Sequence, residues 1–230
     1  SPPPTHTETN TNHTNNDTNT NTNTITNFTN NTATMSGGAI SSTEGNVIVV
    51  INSSFYRNNA KISGGALDLK GNSTLHFSGD ISLNENHATT NGGAIALSSS
   101  PLWTVASGTL LRVERNTAAL GSAIYIYRLI DGGEFDRFQN IEMRNNTATI
   151  GGTVYWVKDT RMTEEPPGLY GNSTLFADNK APYGEMVATQ AVLIDGPKQI
   201  TTMTQGTYDP PLAFKLRDYY DNVVINTYEP

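Results

Sequence analysis

The stretch that decides the fold is residues 55–69, FYRNNAKISGGALDL, read beside residues 83–97, LNENHATTNGGAIAL. In each, an apolar residue (Phe55, Leu83) is followed three positions on by Asn (Asn58, Asn86) and two further on by Ala, and a Gly-Gly-Ala turn then leads into an apolar pair. Four further segments carry the arrangement: FTNNTATMSGGAIS from Phe28, VERNTAALGSAIYI from Val113, MRNNTATIGGTVYW from Met143 and FADNKAPYGEMVAT from Phe176. The Asn register is Asn31, Asn58, Asn86, Asn116, Asn146 and Asn179, with intervals of 27, 28, 30, 30 and 33 residues. Self-similarity at such a period is the mark of a solenoid.

The period inside each repeat is that of a strand. Leu67 and Leu69, Ile95 and Leu97, Ile124 and Ile126, Val154 and Trp156 stand two apart, with Asp68, Ala96, Tyr125 and Tyr155 between them. The residues before each Asn alternate too, through Ile81 and Leu83, Leu111 and Val113, Ile141 and Met143, Thr174 and Phe176. Spacing of two places both apolar residues on one face of an extended chain. Between these strands lies a turn of Asn, Ala and Gly, where Gly accepts positive φ and Asn caps the backbone. The rest of each repeat closes the coil and has room for a third strand. Two or three strands per 27 to 33 residues make one coil of a parallel β-helix. Equivalent residues then stack, Ile40, Leu67, Ile95, Ile124, Val154 and Val187 in one internal ladder and Phe28, Phe55, Leu83, Val113, Met143 and Phe176 in another. Six coils at about 4.8 Å each give a prism on the order of 29 Å long, with the six Asn side chains stacked as an amide ladder.

The paired GGA[IL] and apolar-x-x-Asn signatures resemble the repeats of chlamydial polymorphic membrane proteins and of similar repeat-bearing surface proteins in algae and other protists. The resemblance spans residues 28–190 and is sharpest in SGGAI at 36, SGGAL at 63 and NGGAI at 91, drifting to GSAI, GGTV and GEMV in later copies. It implies a right-handed helix and a role in adhesion or structure at the cell surface, and no reaction.

Composition narrows the classes further. The 230 residues carry 14 basic against 21 acidic side chains, a net charge of −7, which argues against a nucleic-acid partner. Charged residues are only 15%, where a quarter is usual, so the low mean hydropathy of −0.42 comes from Asn, Thr, Ser and Gly. Without cysteine there is neither a disulfide framework nor a thiolate metal site, and no apolar run nears the roughly 20 residues of a membrane span. Ser1-Pro2-Pro3-Pro4 shows no basic and apolar leader, so any secretion signal is expected outside this numbering.

The two ends differ from the repeats. Residues 5–34 hold 13 Thr and 10 Asn, including TNTNTNTITN at 18–27, so residues 1–27 read as a low-complexity arm or stalk. Residues 28–192 are the helix. Residues 193–230 resemble the opening strands of an immunoglobulin-like sandwich, but two or three strands cannot close one, so a cap on the last coil or a contact with a neighbouring subunit stands beside that reading.

Side chains that carry chemistry are sparse. Of His6, His13, His76 and His87, the first two lie in the Thr/Asn tract and the other two in one repeat with no His on the coil above or below, so no metal or cofactor is expected. Parallel β-helices include polysaccharide-cleaving enzymes, and Asp131, Glu134, Asp136, Glu164 and Glu165 are the acids to weigh. They sit in inserts without matching positions on adjacent coils and read as solvated loop charge, so the chain is expected not to be an enzyme. Tyr125, Tyr127 and Tyr155 form a candidate outward strip for a ligand or subunit. Asn-x-Ser/Thr acceptor sites occur at Asn12, Asn16, Asn27, Asn30, Asn52, Asn72, Asn145 and Asn172. The sequence thus reads as a secreted, cell-surface structural glycoprotein, a filament or appendage subunit whose end coils and termini meet copies of itself or adjoining domains, with covalent glycans. The alternatives are an adhesin binding a protein or glycan, and, more distantly, a polysaccharide-active enzyme.

Overall fold

The structure, a computed structural model, describes residues 26–43, 45–99, 102–127, 135–136, 140–157, 174–196 and 214–225. Every strand from Thr26 to Thr189 pairs in parallel with its equivalent one repeat away, so the chain is a parallel β-solenoid. Four sheets run along its axis. Sheet 1 has six strands, Thr26–Thr29, Ser53–Tyr56, Asp80–Asn84, Leu110–Glu114, Ile141–Arg144 and Thr174–Ala177. Sheet 2 has five, Thr32–Ala33, Asn59–Ala60, His87–Ala88, Thr117–Leu120 and Thr147–Gly151. Sheet 3 has six, Ile40–Thr43, Leu67–Lys70, Ile95–Ser98, Ile124–Tyr127, Val154–Val157 and Val187–Thr189. Sheet 4 shows four, Val47–Ile51, Thr74–Ser78, Leu102–Val105 and Phe135–Asp136. Six rungs are thus joined by five turns, about 24 Å along the axis.

The register superposes the two apolar ladders read from the sequence. Phe28 lies opposite Phe55, Phe55 opposite Leu83, Leu83 opposite Val113, Val113 opposite Met143 and Met143 opposite Phe176. Ile40 through Val187 align likewise. Phe28 and Phe55 stack with ring centroids 4.6 Å apart and planes 4° from parallel. Between sheets, Trp103 and Phe77 fill the corner beneath sheet 4 edge to face, 5.1 Å apart.

Sheet 2 is a strand where the sequence suggested only a turn. The residue before each ladder Asn (Asn30, Arg57, Glu85, Arg115, Asn145, Asp178) is left-handed, with φ between 53° and 57°. That bend turns the corner from sheet 1. The chain then runs extended for at least two residues with a small Ala facing inward, as at Ala60 and Ala88, both fully buried. The Gly-Gly turn comes next, and packing decides its residues. A Cβ on Gly65 would sit 2.0 Å from the Gly93 carbonyl oxygen and 2.6 Å from that of His87, so no larger residue fits between these rungs. The turn also lies against the outside of sheet 3, since a Cβ on Gly64 would meet the Leu67 carbonyl oxygen at 2.2 Å. Outward residues of that sheet are therefore covered, Asp68 and Ala188 completely.

After the last rung, Leu193–Asp195 pairs antiparallel with Lys215–Arg217. The turn that follows closes the end of sheet 3. The Asp218 carboxylate accepts from the Thr189, Tyr220 and Asn222 amides at 3.1, 2.9 and 2.9 Å, and Trp156 Nε1 donates to the Tyr220 hydroxyl at 2.9 Å. Among the described residues this segment is a cap on the solenoid, and the immunoglobulin-like reading has no counterpart.

Candidate functional site

The Asn column is a polar, one-directional ladder. The backbone N–H and the Nδ2 of Asn86 both donate to Oδ1 of Asn116, at 2.8 and 3.0 Å, and Asn86 Nδ2 also reaches the Phe55 carbonyl at 3.1 Å. The same triple of bonds links Asn58 to Asn86, Asn116 to Asn146 and Asn146 to Asn179. Asn31 donates to Asn58 in the same way. Asn58, Asn86, Asn116, Asn146 and Asn179 are buried, and only Asn31 is exposed. Its role is structural: each amide satisfies backbone groups at a corner that water cannot reach.

The tyrosine strip is not a free surface. Tyr125 and Tyr155 do stack, 5.9 Å apart and 6° from parallel, but Tyr155 is only 5% exposed. Tyr183 and Ala188 of the next rung, with Ile150, Val157 and Val224, enclose it. Burial drives its phenol well above the ordinary tyrosine range, and the Tyr125 phenol upward as well. Tyr127, two residues along, is half-buried. The strip belongs to a second small core between the Gly-Gly turns, sheet 3 and the cap. Sequence alternation identified its outward direction correctly but could not show that loops from the same rungs fold over it.

Of the glycan acceptor sites, Asn27, Asn30, Asn72 and Asn145 are exposed, Asn30 and Asn145 at the left-handed corner before the ladder. Asn52 is half-buried, and its Oδ1 accepts from the Asp80 amide at 3.1 Å. Asn12, Asn16 and Asn172 lie outside the described residues, as do Asp131, Glu134, Glu164, Glu165, His6 and His13. Asp136 stands in the last described strand of sheet 4, while His76 and His87 hydrogen-bond Thr104 and Thr117 of the next rung.

Other polar groups gather where the sequence singled out only the acceptor Asn52. Two hollows lie along the corner between sheets 4 and 1. One, about 450 Å³, is lined by Asn52, Ser53, Ser54, Asp80, Ile81, Ser82 and Arg112, and another, about 360 Å³, by Gly108, Thr109, Leu110, Asn140, Glu142, Thr174 and Leu175.

The distribution of exposed apolar side chains marks the two ends. Among the described residues, the large ones are Met35, Val47, Val49, Ile51 and Ile62 on the first two rungs, and Leu175, Met186, Val192, Leu193, Ile194, Phe214, Leu216, Tyr219, Val223 and Ile225 on the last rung and cap. Rungs three to five, residues 80–173, contribute none of the described ones.

Residues 25–43 and 80–98 match the Chlamydia polymorphic membrane protein (Chlamydia_PMP) repeat. Both segments run from a sheet 1 strand, through the Asn corner and the Gly-Gly turn, to a sheet 3 strand. Two of the six rungs are thus similar to this repeat. No curated protein and no solved structure matches the chain. The match points to a surface-associated protein. The two matched segments contain Asn31 and Asn86 of the ladder and the Gly-Gly turns at 37–38 and 92–93.

Proposed function

We propose that the chain is an extracellular structural glycoprotein of the cell surface, without catalytic activity, whose copies join end to end into a filament or appendage. The observation that supports this is that, among the described residues, the large exposed apolar side chains fall on the first two rungs, the last rung and the cap. A monomer with polar flanks and apolar ends gains most by burying the ends, each large apolar side chain contributing up to about 1.5–3 kcal/mol when fully enclosed. The first rung adds unpaired strand edges, Val47–Ile51 among them, which template a further strand. The ladder adds polarity: among the described residues nothing donates to the Asn31 Oδ1, while every later Asn has its Oδ1 taken, which favours head-to-tail over head-to-head contact. The exposed acceptor sites Asn27, Asn30, Asn72 and Asn145 are assigned glycans.

Sedimentation and electron microscopy of the purified chain test the assembly. Concentration-dependent growth into rods is expected, and Val47→Lys together with Val49→Lys should leave discrete monomers with an unchanged circular dichroism spectrum. A wild-type chain that stays monomeric at every concentration reached refutes the reading. Intact-mass measurement before and after enzymatic deglycosylation tests the glycans.

A further inference from the structure

We propose that the groove between sheets 4 and 1 binds an acidic oligosaccharide, with Arg112 holding an anionic substituent of a sugar ring. The groove follows from local sequence. Its floor is the outward row of sheet 1, where Ser54, Ser82, Arg112 and Glu142 are register neighbours on successive rungs. Two small serines beside a long guanidinium leave a trough, and the corner residues Asn52 and Asp80 form its wall.

Arg112 is the group that asks for a ligand. It is half-buried, lines the 450 Å³ hollow, and has no hydrogen bond or ion pair among the described residues. The other described arginines of this sheet and its corner are all paired, Arg57 with Glu85 at 2.7 Å, Arg115 with Glu114 at 3.5 Å and Arg144 with Glu142 at 3.6 Å. A planar guanidinium with free donors matches a carboxylate or sulfate. Two other charged groups face the groove. Glu142 is partnered by Arg144, whereas Asp80 is exposed, stands on the wall and has no ion-pair partner among the described residues.

Apart from Ile81, whose side chain is buried in the core, the remaining lining is hydroxyl and amide, Ser53, Ser54, Ser82 and Asn52, which suits a ligand rich in hydroxyls better than a peptide needing apolar anchors. From Asn52 to Arg112 this hollow spans two rungs, about 10 Å along the axis, which is room for a short extended stretch of sugar rings. This site is on the flank, apart from the apolar ends, and does not depend on the assembly reading.

The test is calorimetric titration of the full chain with three probes: tetragalacturonic acid, which carries carboxylates, a chondroitin sulfate tetrasaccharide, which adds sulfates, and uncharged maltotetraose. Binding of at least one acidic probe and not of maltotetraose is expected, and which one binds identifies the anionic group. Arg112→Gln should weaken it about tenfold or more, the value of one charged hydrogen-bonded pair. Arg115→Gln, on the neighbouring corner, should leave it unchanged, and Asp80→Asn should tighten it by removing a repulsive charge. Thermal melts confirm that each variant is folded, and a shift of the Arg112 side-chain resonance on titration of the wild type gives the same reading without a mutation. Failure of both acidic probes, equal binding of maltotetraose, weakening by Asp80→Asn, or indifference to Arg112→Gln overturns the proposal. Monomeric wild-type protein that still binds leaves this site standing while refuting the assembly.

Discussion

Replacing a central rung of the amide ladder tests the stacking most directly. Asn116 is fully buried, and its side chain makes four hydrogen bonds: it accepts from the amide and Nδ2 of Asn86 and donates to the Leu83 carbonyl and to Asn146 Oδ1. Asn116→Ala deletes all four and leaves the buried Asn86 N–H without its acceptor. An orphaned buried donor costs about 1–3 kcal/mol and each remaining lost bond about 1, so with partial relaxation the substitution should cost about 4 kcal/mol. Asn31 is the internal control. It is exposed and its side chain makes a single bond, to Asn58, whose Oδ1 keeps the Asn31 backbone donor, so Asn31→Ala should cost about 1 kcal/mol or less. Urea unfolding followed by circular dichroism measures both. With a slope near 2 kcal/mol/M, the Asn116 variant should unfold about 2 M earlier than wild type and the Asn31 variant within about 0.5 M of it. Equal shifts for the two, or a loss below about 1 kcal/mol at Asn116, would refute the claim that the ladder holds the rungs together.

The other expectations concern the turn column, the cap and a buried charge. Gly65→Ala forces a Cβ to 2.0 Å from a backbone carbonyl of the next rung, so a loss of about 3 kcal/mol and a lower melting temperature are expected; a variant as stable as wild type would mean that the rungs separate freely. Asp218→Ala removes the acceptor shared by three amides and should undock the cap at a cost of about 2–4 kcal/mol, read as a red shift of tryptophan emission as water reaches Trp156. Asp68 is buried with only the Lys70 ammonium nearby, at 3.1 Å, and burial raises its carboxyl above the usual range against the opposing pull of that ammonium. The folded form therefore binds a proton more tightly than the unfolded chain, so this group's contribution is present at low pH and is lost as pH rises through the raised value. Asp68→Asn should accordingly gain stability over wild type as pH rises through that value, with the difference fading at low pH, so its acid limb is steeper than that of wild type; an advantage that grew as pH fell would contradict the sign.

Much of the architecture was legible because a solenoid repeats its physics. Each apolar-x-x-Asn-x-Ala copy is an independent statement of one corner, and period-two alternation on both sides of it specifies which residues face inward, so the ladders of Phe28 and Ile40 could be written down and superposed before any coordinates. Sheet 2 was also within reach, since an inward Ala two residues after each Asn signals an extended chain too close to its neighbours for a larger side chain. The candidate sites were less legible. Alternation states that Tyr155 and Asp68 point outward, but it is silent on loops from the same rungs returning over that face, so one became core and the other a buried charge. Arg112 carried no motif at all: its lack of a partner depends on which side chains the register places above and below it.

What the sequence by itself determined is therefore the local and periodic part, strand positions, inward faces, the Asn column and the glycines that the turn requires, because these follow from backbone geometry and nearest-neighbour spacing. Only the tertiary structure decided what lies against what at a distance: the cap of Asp218 and Tyr220 on Trp156, sixty-four residues apart in the last case, the closure over the tyrosines, the groove beside Arg112 and the gathering of apolar side chains at the two ends. Exposure is a property of the whole surface, and no period within one repeat encodes it.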